Sequence, residues 1–154
     1  MVDDGSTDAT VDTAKRKLAG FPHAVLLNGV NQGKGHSVKQ GMLAGKGRYL
    51  LFTDADLSTP IEECGRFLKL MAEGDYDCVI GSRALPGSQI EVHQNMLREL
   101  MGKVFNRIAR LLSFKGISDS QCGFKCFSQK AARDLFARQK LKGFSFAAEI
   151  IFLA

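Results

Sequence analysis

The strongest constraint on this chain is an alternation. Short apolar runs, AVLLN (24–28), RYLLF (48–52) and YDCVI (76–80), are separated by segments whose apolar residues recur at helical spacing. These runs have strand length, and the segments between them do not alternate as strands do. Such a pattern builds an α/β domain with a largely parallel sheet flanked by helices. Val2 reads as the last residue of a strand, followed by the turn dipeptide Asp4-Gly5. Ser6 or Thr7 then caps a helix running to about Leu18, with Val11, Ala14 and Leu18 on one face. NQGKGHSVKQGMLAGKG supplies a glycine-rich entry and a helix carrying Val38, Met42 and Leu43. Thr59-Pro60-Ile61-Glu62 reads as a capping box, ahead of an apolar face of Ile61, Cys64, Phe67, Leu68 and Met71. Beyond Arg83 the pattern predicts a loop, a helix from Asn95 to Leu112 with a basic side (Arg98, Lys103, Arg107, Arg110), a strand in DSQCGFKCF, a helix in SQKAARDLFARQ and the start of another in FSFAAEIIFLA.

With 154 residues, 45% of them hydrophobic, the chain has room for one packed domain. Its net charge of +5 suits nucleic acid, an anionic membrane face or phosphorylated substrates. No aromatic-interleaved basic groove is present, which disfavours nucleic acid. The four cysteines form no C-x-x-C pair, so they read as reduced thiols of a cytoplasmic compartment. No secretory signal or membrane-spanning apolar run is evident. Because a strand should feed Val2 and the last run stops within a helix, the expectation is a single domain over 1–154 that is truncated at both ends.

In an open parallel sheet, ligands gather at the carboxyl ends of the strands. Asp3 and Asp4, Asp54 and Asp56, and Ser82 with Arg83 all fall at such ends and should meet in one cleft. Crowded carboxylates repel, so Asp54-x-Asp56 calls for a neutralising partner. A hard cation, Mg²⁺ or Mn²⁺, binds one or two carboxylates and completes its shell with water and phosphate oxygens. The competing reading gives the aspartates to a turn and the next helix terminus. Gly33-Lys34-Gly35 fits neither standard phosphate-binding loop, so a glycine-rich turn with a solvated lysine is an equal reading. His23, His36 and His93 are isolated.

Taken in order, V-D-D-G-S-T-D, N-x-G-K-G, F-T-D-A-D-L-S, G-S-R and D-S-Q-C-G-F-K-x-F resemble family 2 glycosyltransferases with the Rossmann-like GT-A fold, in the polyprenyl- and dolichyl-phosphate sugar transferase branch. The resemblance implies a metal-dependent inverting transfer of a sugar, glucose by its nearest branch, from a UDP-sugar to a polyprenyl phosphate at the cytoplasmic face of a membrane, the bacterial inner membrane or the endoplasmic reticulum. It implies that Asp4 holds the uracil with Asp3 beside it, that Lys34, Asp54 and Arg83 contact the nucleotide-sugar, and that Asp54 and Asp56 serve the metal, Mg²⁺ or Mn²⁺. Arg98 would hold the acceptor phosphate, and Asp119 would lie nearest the reacting acceptor oxygen.

The chain departs from that pattern in places. Phe146-Ala147-Ala148-Glu149 stands where the family reads F-D-x-E, and Gly102 where relatives often carry serine. The family's first strand, with its nucleotide-lining loop, is absent, as are the C-terminal membrane helices of some relatives, so weak or no activity is expected of the chain alone. Two other readings compete. In a phosphoacceptor receiver domain, Asp3/Asp4, Asp54 and Ser82 would fill the acidic and hydroxyl positions, but Lys103 lies in a helical stretch instead of at a strand end. In a degenerate GT-A domain, nucleotide would bind without turnover.

Overall fold

The computed structural model describes residues 1–83, 117 and 119–154. The predicted helix 95–112, with Arg98 and Lys103, the loop before it and Gly102 lie outside them. In chain order the elements are β1 (Val2–Asp3), α1 (Thr10–Leu18), β2 (Leu26–Leu27), α2 (Lys34–Ala44), β3 (Tyr49–Thr53), α3 (Glu63–Glu73), β4 (Cys78–Ile80), β5 (Phe124–Ser128), α4 (Gln129–Arg138) and α5 (Phe146–Leu153). The α/β class expected from the alternation is present.

Among the described residues the strands form two sheets, and their pairing differs from the expectation of a mostly parallel sheet. β1 and β2 do pair in parallel, with Val2 opposite Leu26. β3 and β4, however, are separated by β5, which runs antiparallel to both. The register sets Thr53 opposite Phe124 and Ile80 opposite Lys125, so β5 begins where β3 and β4 end. Periodicity within a strand reports burial, not direction, and so could not reveal this insertion.

β5 is buried on both faces, as a strand in the middle of a layered α/β domain must be. Phe127 points into one cluster with Met42, Leu50, Leu135, Phe136, Phe146 and Ile150, which joins α2, α4 and α5 to the sheet. Phe124 and Cys126 point into the other, with Phe67 and Met71 of α3. β3 obeys the same two-residue period: Leu50 and Phe52 pack toward the first cluster, Tyr49 and Leu51 toward the second. Edge-on ring contacts seat the aromatic residues, Phe127 on Phe136 at 5.4 Å and Phe67 on Phe124 at 4.9 Å between centroids.

Helix starts depart from the sequence reading in two places. Neither Ser6 nor Thr7 caps α1; it starts at Thr10, whose N–H bonds Asp8 Oδ1 at 3.0 Å. The capping box at Thr59–Glu62 does not form either: Thr59 Oγ1 lies 4.0 Å from Cys122 Sγ, and tight turns from Pro60 to Gly65 lead into α3. On α3, Phe67 and Met71 are buried and Cys64 half-buried, while Leu68 on the helix and Ile61 before it face solvent. α4 has the side-chain cap the others lack, Ser128 Oγ accepting from Ala131 N at 3.1 Å.

Gly33-Lys34-Gly35 owes its glycines to close packing. A Cβ on Gly35 would lie 2.7 Å from both Leu141 O and Phe146 Cβ, and one on Gly33 2.7 Å from Lys142 O. Gly35→Ala should therefore destabilise the fold by about 1–3 kcal/mol through overpacking against backbone. Gly65, inside α3 with nothing within 4 Å of a Cβ, should respond oppositely, Gly65→Ala stabilising by about 0.5–1 kcal/mol. Urea denaturation of the two variants checks both signs.

Candidate functional site

The first turn of the site is built by its own carboxylates. Asp3, nearly buried, accepts at Oδ2 from the N–H groups of Gly5 and Ser6, each at 3.1 Å. Gly5 sits at φ +87°, and a Cβ there would lie 2.8 Å from the backbone of Val30 and Asn31, so the turn admits only glycine. Asp4 reaches across to the segment after β2. Its Oδ1 accepts from Asn28 Nδ2 at 2.8 Å and Gln32 N at 2.9 Å, and its Oδ2 from Gly33 N at 2.8 Å. Burial pushes the Asp4 carboxyl up, but the bonds from Asn28, Gln32 and Gly33 outweigh it and hold the pKa below the ordinary carboxylate value. Asp3 is lowered as well, chiefly by hydrogen bonding to the Ser6 side chain. Both aspartates thus shape the strand end and the loop that delivers Lys34.

Lys34 opens α2, and its Nζ lies 2.6 Å from Asp54 Oδ1 at the end of β3. This is the partner that neutralises Asp54 in the structure. The other oxygen of Asp54 lies against Gly123, where a Cβ would come within 2.0 Å. The chain then turns sharply: Asp54 O accepts from Leu57 N at 3.1 Å, and Leu57 adopts φ +51°, a strained conformation for a branched side chain. Asp56, at the exposed tip, accepts from Ser58 N at 3.0 Å. Its pKa is lowered mainly by hydrogen bonding to Ser58, with the field of Lys34 adding less.

At the end of β4, Arg83 meets Asp119 in a bidentate pair, Nε to Oδ2 at 2.7 Å and Nη2 to Oδ1 at 3.0 Å. The backbone N–H groups of Arg83 and Gln121 also donate to Asp119, at 3.2 and 3.0 Å. Asp119 is 2% exposed while the Arg83 side chain is 54% exposed. The carboxylate therefore aims a guanidinium whose outer edge faces solvent. Burial raises the Asp119 pKa, but the Arg83 hydrogen bonds and charge prevail and leave it below the ordinary value. In this arrangement both oxygens of Asp119 are engaged, and the carboxylate orients Arg83.

Antiparallel β5 explains why these groups meet. Residues 119–123 precede it, and so lie beside the residues that follow β3 and β4. All the expected site residues within the described chain, Asp3, Asp4, Lys34, Asp54, Asp56, Arg83 and Asp119, fall on this connected edge; Arg98 lies outside the described residues. Asn28, Gly123 and Lys125 were missed from the sequence. Asn28 reads there only as a strand end, and Gly123 and Lys125 only as part of the strand expected in DSQCGFKCF. Lys125, 0% exposed, donates Nζ to Cys122 O and lies 5.6 Å from the Phe52 ring centre; desolvation lowers its pKa. With Lys34, Phe52, Gln121, Phe144 and Ala147 it lines a narrow pocket.

A divalent cation would find a hard, exposed oxygen donor in Asp56, with Asp54 behind it already shared with Lys34. No group of three or more candidate ligand side chains exists among the described residues. That donor set fits Mg²⁺ or Mn²⁺, whose shells are completed by water and phosphate, and does not fit an all-protein cage.

Asp119 has its pKa lowered from 3.8, so its contribution to stability is full above that value and disappears as pH falls through the folded-state pKa. Asp119→Asn should cost about 2 kcal/mol at neutral pH, less than the ~3–5 kcal/mol of a fully buried pair because Arg83 is half exposed. Below about pH 4 the variant's stability should fall less steeply than that of the parent chain. Thermal melts across that range check the slope.

Residues 1–136 match the model of glycosyl transferase family 2. The whole chain aligns with dolichyl-phosphate beta-glucosyltransferases, at 34% identity to that of Dictyostelium discoideum over 49% of its length. Identity is 35% to the Drosophila melanogaster protein and 28% to the human one, each over 50% of the relative's length. The chain spans about half the length of the curated relatives it matches. The match over most of the chain removes the receiver alternative: the chain belongs to glycosyl transferase family 2.

Proposed function

We propose that this chain is the donor-handling part of an inverting glucosyltransferase that uses UDP-glucose and a divalent metal to glucosylate dolichyl or another polyprenyl phosphate at the cytoplasmic face of a membrane. The observation that carries the reading is the linked set at the strand ends: Asp4 fixes the loop before Lys34, Lys34 meets Asp54, Asp54 abuts Gly123, and Asp119 aims Arg83. The relatives named as dolichyl-phosphate beta-glucosyltransferases support the choice of sugar and acceptor.

Donor diphosphate carries negative charge that needs cations held in advance. Lys34 and the outer edge of Arg83 supply two, and preorganised charge costs no rearrangement as the reaction proceeds. Asp56 would hold the metal, with Asp54 adjoining; when bound, the ion neutralises charge on the departing diphosphate. The acceptor phosphate is already anionic. One of its oxygens attacks the anomeric carbon as the bond from that carbon to the UDP oxygen breaks, giving a β-linked product from an α-linked donor and releasing UDP. With such a nucleophile, alignment and charge neutralisation do the catalytic work, and Asp119 serves by orienting Arg83.

A second reading has one observation behind it. Ala147 lines the pocket beside Lys125, where the family block carries aspartate, so a buried ammonium faces a wall without a carboxylate. A domain that binds donor without turnover would follow if that missing carboxylate were needed.

Calorimetry with UDP and GDP, with and without Mn²⁺, tests the proposal. UDP should bind more tightly with Mn²⁺, and Asp56→Ala should abolish the metal-dependent part; metal-independent binding in both proteins would sink the metal assignment. A preference for GDP would overturn the choice of donor. The degenerate reading predicts metal-dependent UDP binding without transfer of glucose to polyprenyl phosphate, and transfer appearing in Ala147→Asp; turnover by the unmodified chain would remove it.

A further inference from the structure

The segment between α4 and α5 is tied down at several points yet holds its apolar side chains outward. Glu149 accepts from the backbone N–H groups of Lys140 at 2.9 Å and Leu141 at 2.8 Å. Lys142 O accepts from His36 N at 3.1 Å, and Gln139 Nε2 donates to Leu141 O at 2.7 Å and Gly35 O at 2.9 Å. Against this fixed backbone Phe144 is 72% and Leu141 47% exposed, with exposed Lys140 and Lys142 interleaved. The fixed backbone keeps these apolar groups on the surface.

Charge is equally one-sided. Residues 139–148 include no acidic side chain, and Glu149 is occupied by backbone N–H groups. Phe144 also borders the candidate cleft: its ring lies 5.7 Å from Lys34 Nζ and lines the same pocket. Two apolar side chains offer far less than the ~800 Å² per partner of a stable protein interface. An apolar residue or two flanked by lysines does match the interface of an anionic bilayer, where hydrocarbon enters the headgroup region and ammonium groups meet lipid phosphates. Among the described residues no helix is long and apolar enough to cross a membrane.

We propose that the 140–144 tip is a membrane-docking element, Phe144 and Leu141 entering the headgroup layer and Lys140 and Lys142 contacting anionic lipid. Docked in this way, the Lys34 rim of the cleft opens at the depth of a lipid-linked phosphate; the inference rests on the proposed acceptor for that purpose. It adds a specific surface to the reaction scheme.

The chain has no tryptophan, so Phe144→Trp places a single reporter at the tip. Its fluorescence should shift to the blue with vesicles of phosphatidylcholine and phosphatidylglycerol, and the shift should reverse with salt and be absent with phosphatidylcholine alone. The double substitution Lys140→Glu, Lys142→Glu should weaken vesicle binding at least about tenfold in flotation, which needs no tryptophan. The same charge change on α1, Lys15→Glu with Lys17→Glu, should weaken it less than about threefold. No blue shift at residue 144, or equal losses from the two double variants, would overturn the proposal by reducing binding to unspecific attraction. UDP titrations without vesicles separate the two readings: docking without UDP binding counts against the donor assignment alone, and UDP binding without docking against this surface alone.

Discussion

Strand β5 is the constraint on which the structure depends. Four of its five residues are buried, and its side chains enter both hydrophobic clusters, so the helices on either face are fixed relative to one another through it. Burying one phenylalanine side chain stabilises by roughly 1.5–3 kcal/mol, and β5 contributes two, Phe124 and Phe127. Its direction matters as much as its burial. A parallel strand in the same place would put residues 119–123 at the opposite edge, and Asp119 could not reach Arg83.

The site distributes its carboxylates by task. Asp3, Asp4 and Asp119 accept from backbone N–H groups and from fixed side chains, Asn28 on Asp4 and Arg83 on Asp119, and these bonds hold them ionised. Unlike a turn held by apolar packing, this scaffold sets charge and shape together. Asp54 and Asp56 are different, sitting within a turn that closes at Leu57, strained at φ +51°. The first is spent on Lys34, and the second is left exposed.

Much of this was legible in the sequence, for physical reasons that differ by residue. Strand and helix positions followed from apolar period, since burial of one face leaves a mark on every second or every third to fourth residue. The collection of Asp54, Asp56 and Arg83 at one edge followed from strand ends in an α/β sheet. Long-range partners left no such mark. The residues around Lys34 leave a solvated turn lysine and a phosphate contact as equal readings until α2 is placed beside β3, and Asn28 reads as a strand end until Asp4 reaches it across 24 residues. Asp119 opens a polar block whose sequence shows neither its burial nor its partner; both depend on β5 lying between β3 and β4, which sets it against Arg83. Thr59 shows the reverse error: the local capping pattern was complete, and the tight turn at Asp54–Ser58 took the chain elsewhere.

Glu149 and the glycines around Lys34 connect these observations. The carboxylate at the start of α5 fixes the loop backbone at Lys140 and Leu141. That loop presses against Gly33 and Gly35, where no side chain fits, and accepts the His36 N–H in the first turn of α2. Asp4 holds the same turn from the other side through Gly33 N. Lys34 therefore projects toward Asp54 from a backbone clamped at both flanks, and the glycines that resemble a phosphate loop are there to let the clamps close. With its backbone held this way, Lys34 has only side-chain freedom to lose when it meets a charged partner, as it does with Asp54. The same clamping leaves Phe144 and Leu141 outside, so the packing that positions the cation also exposes the apolar tip.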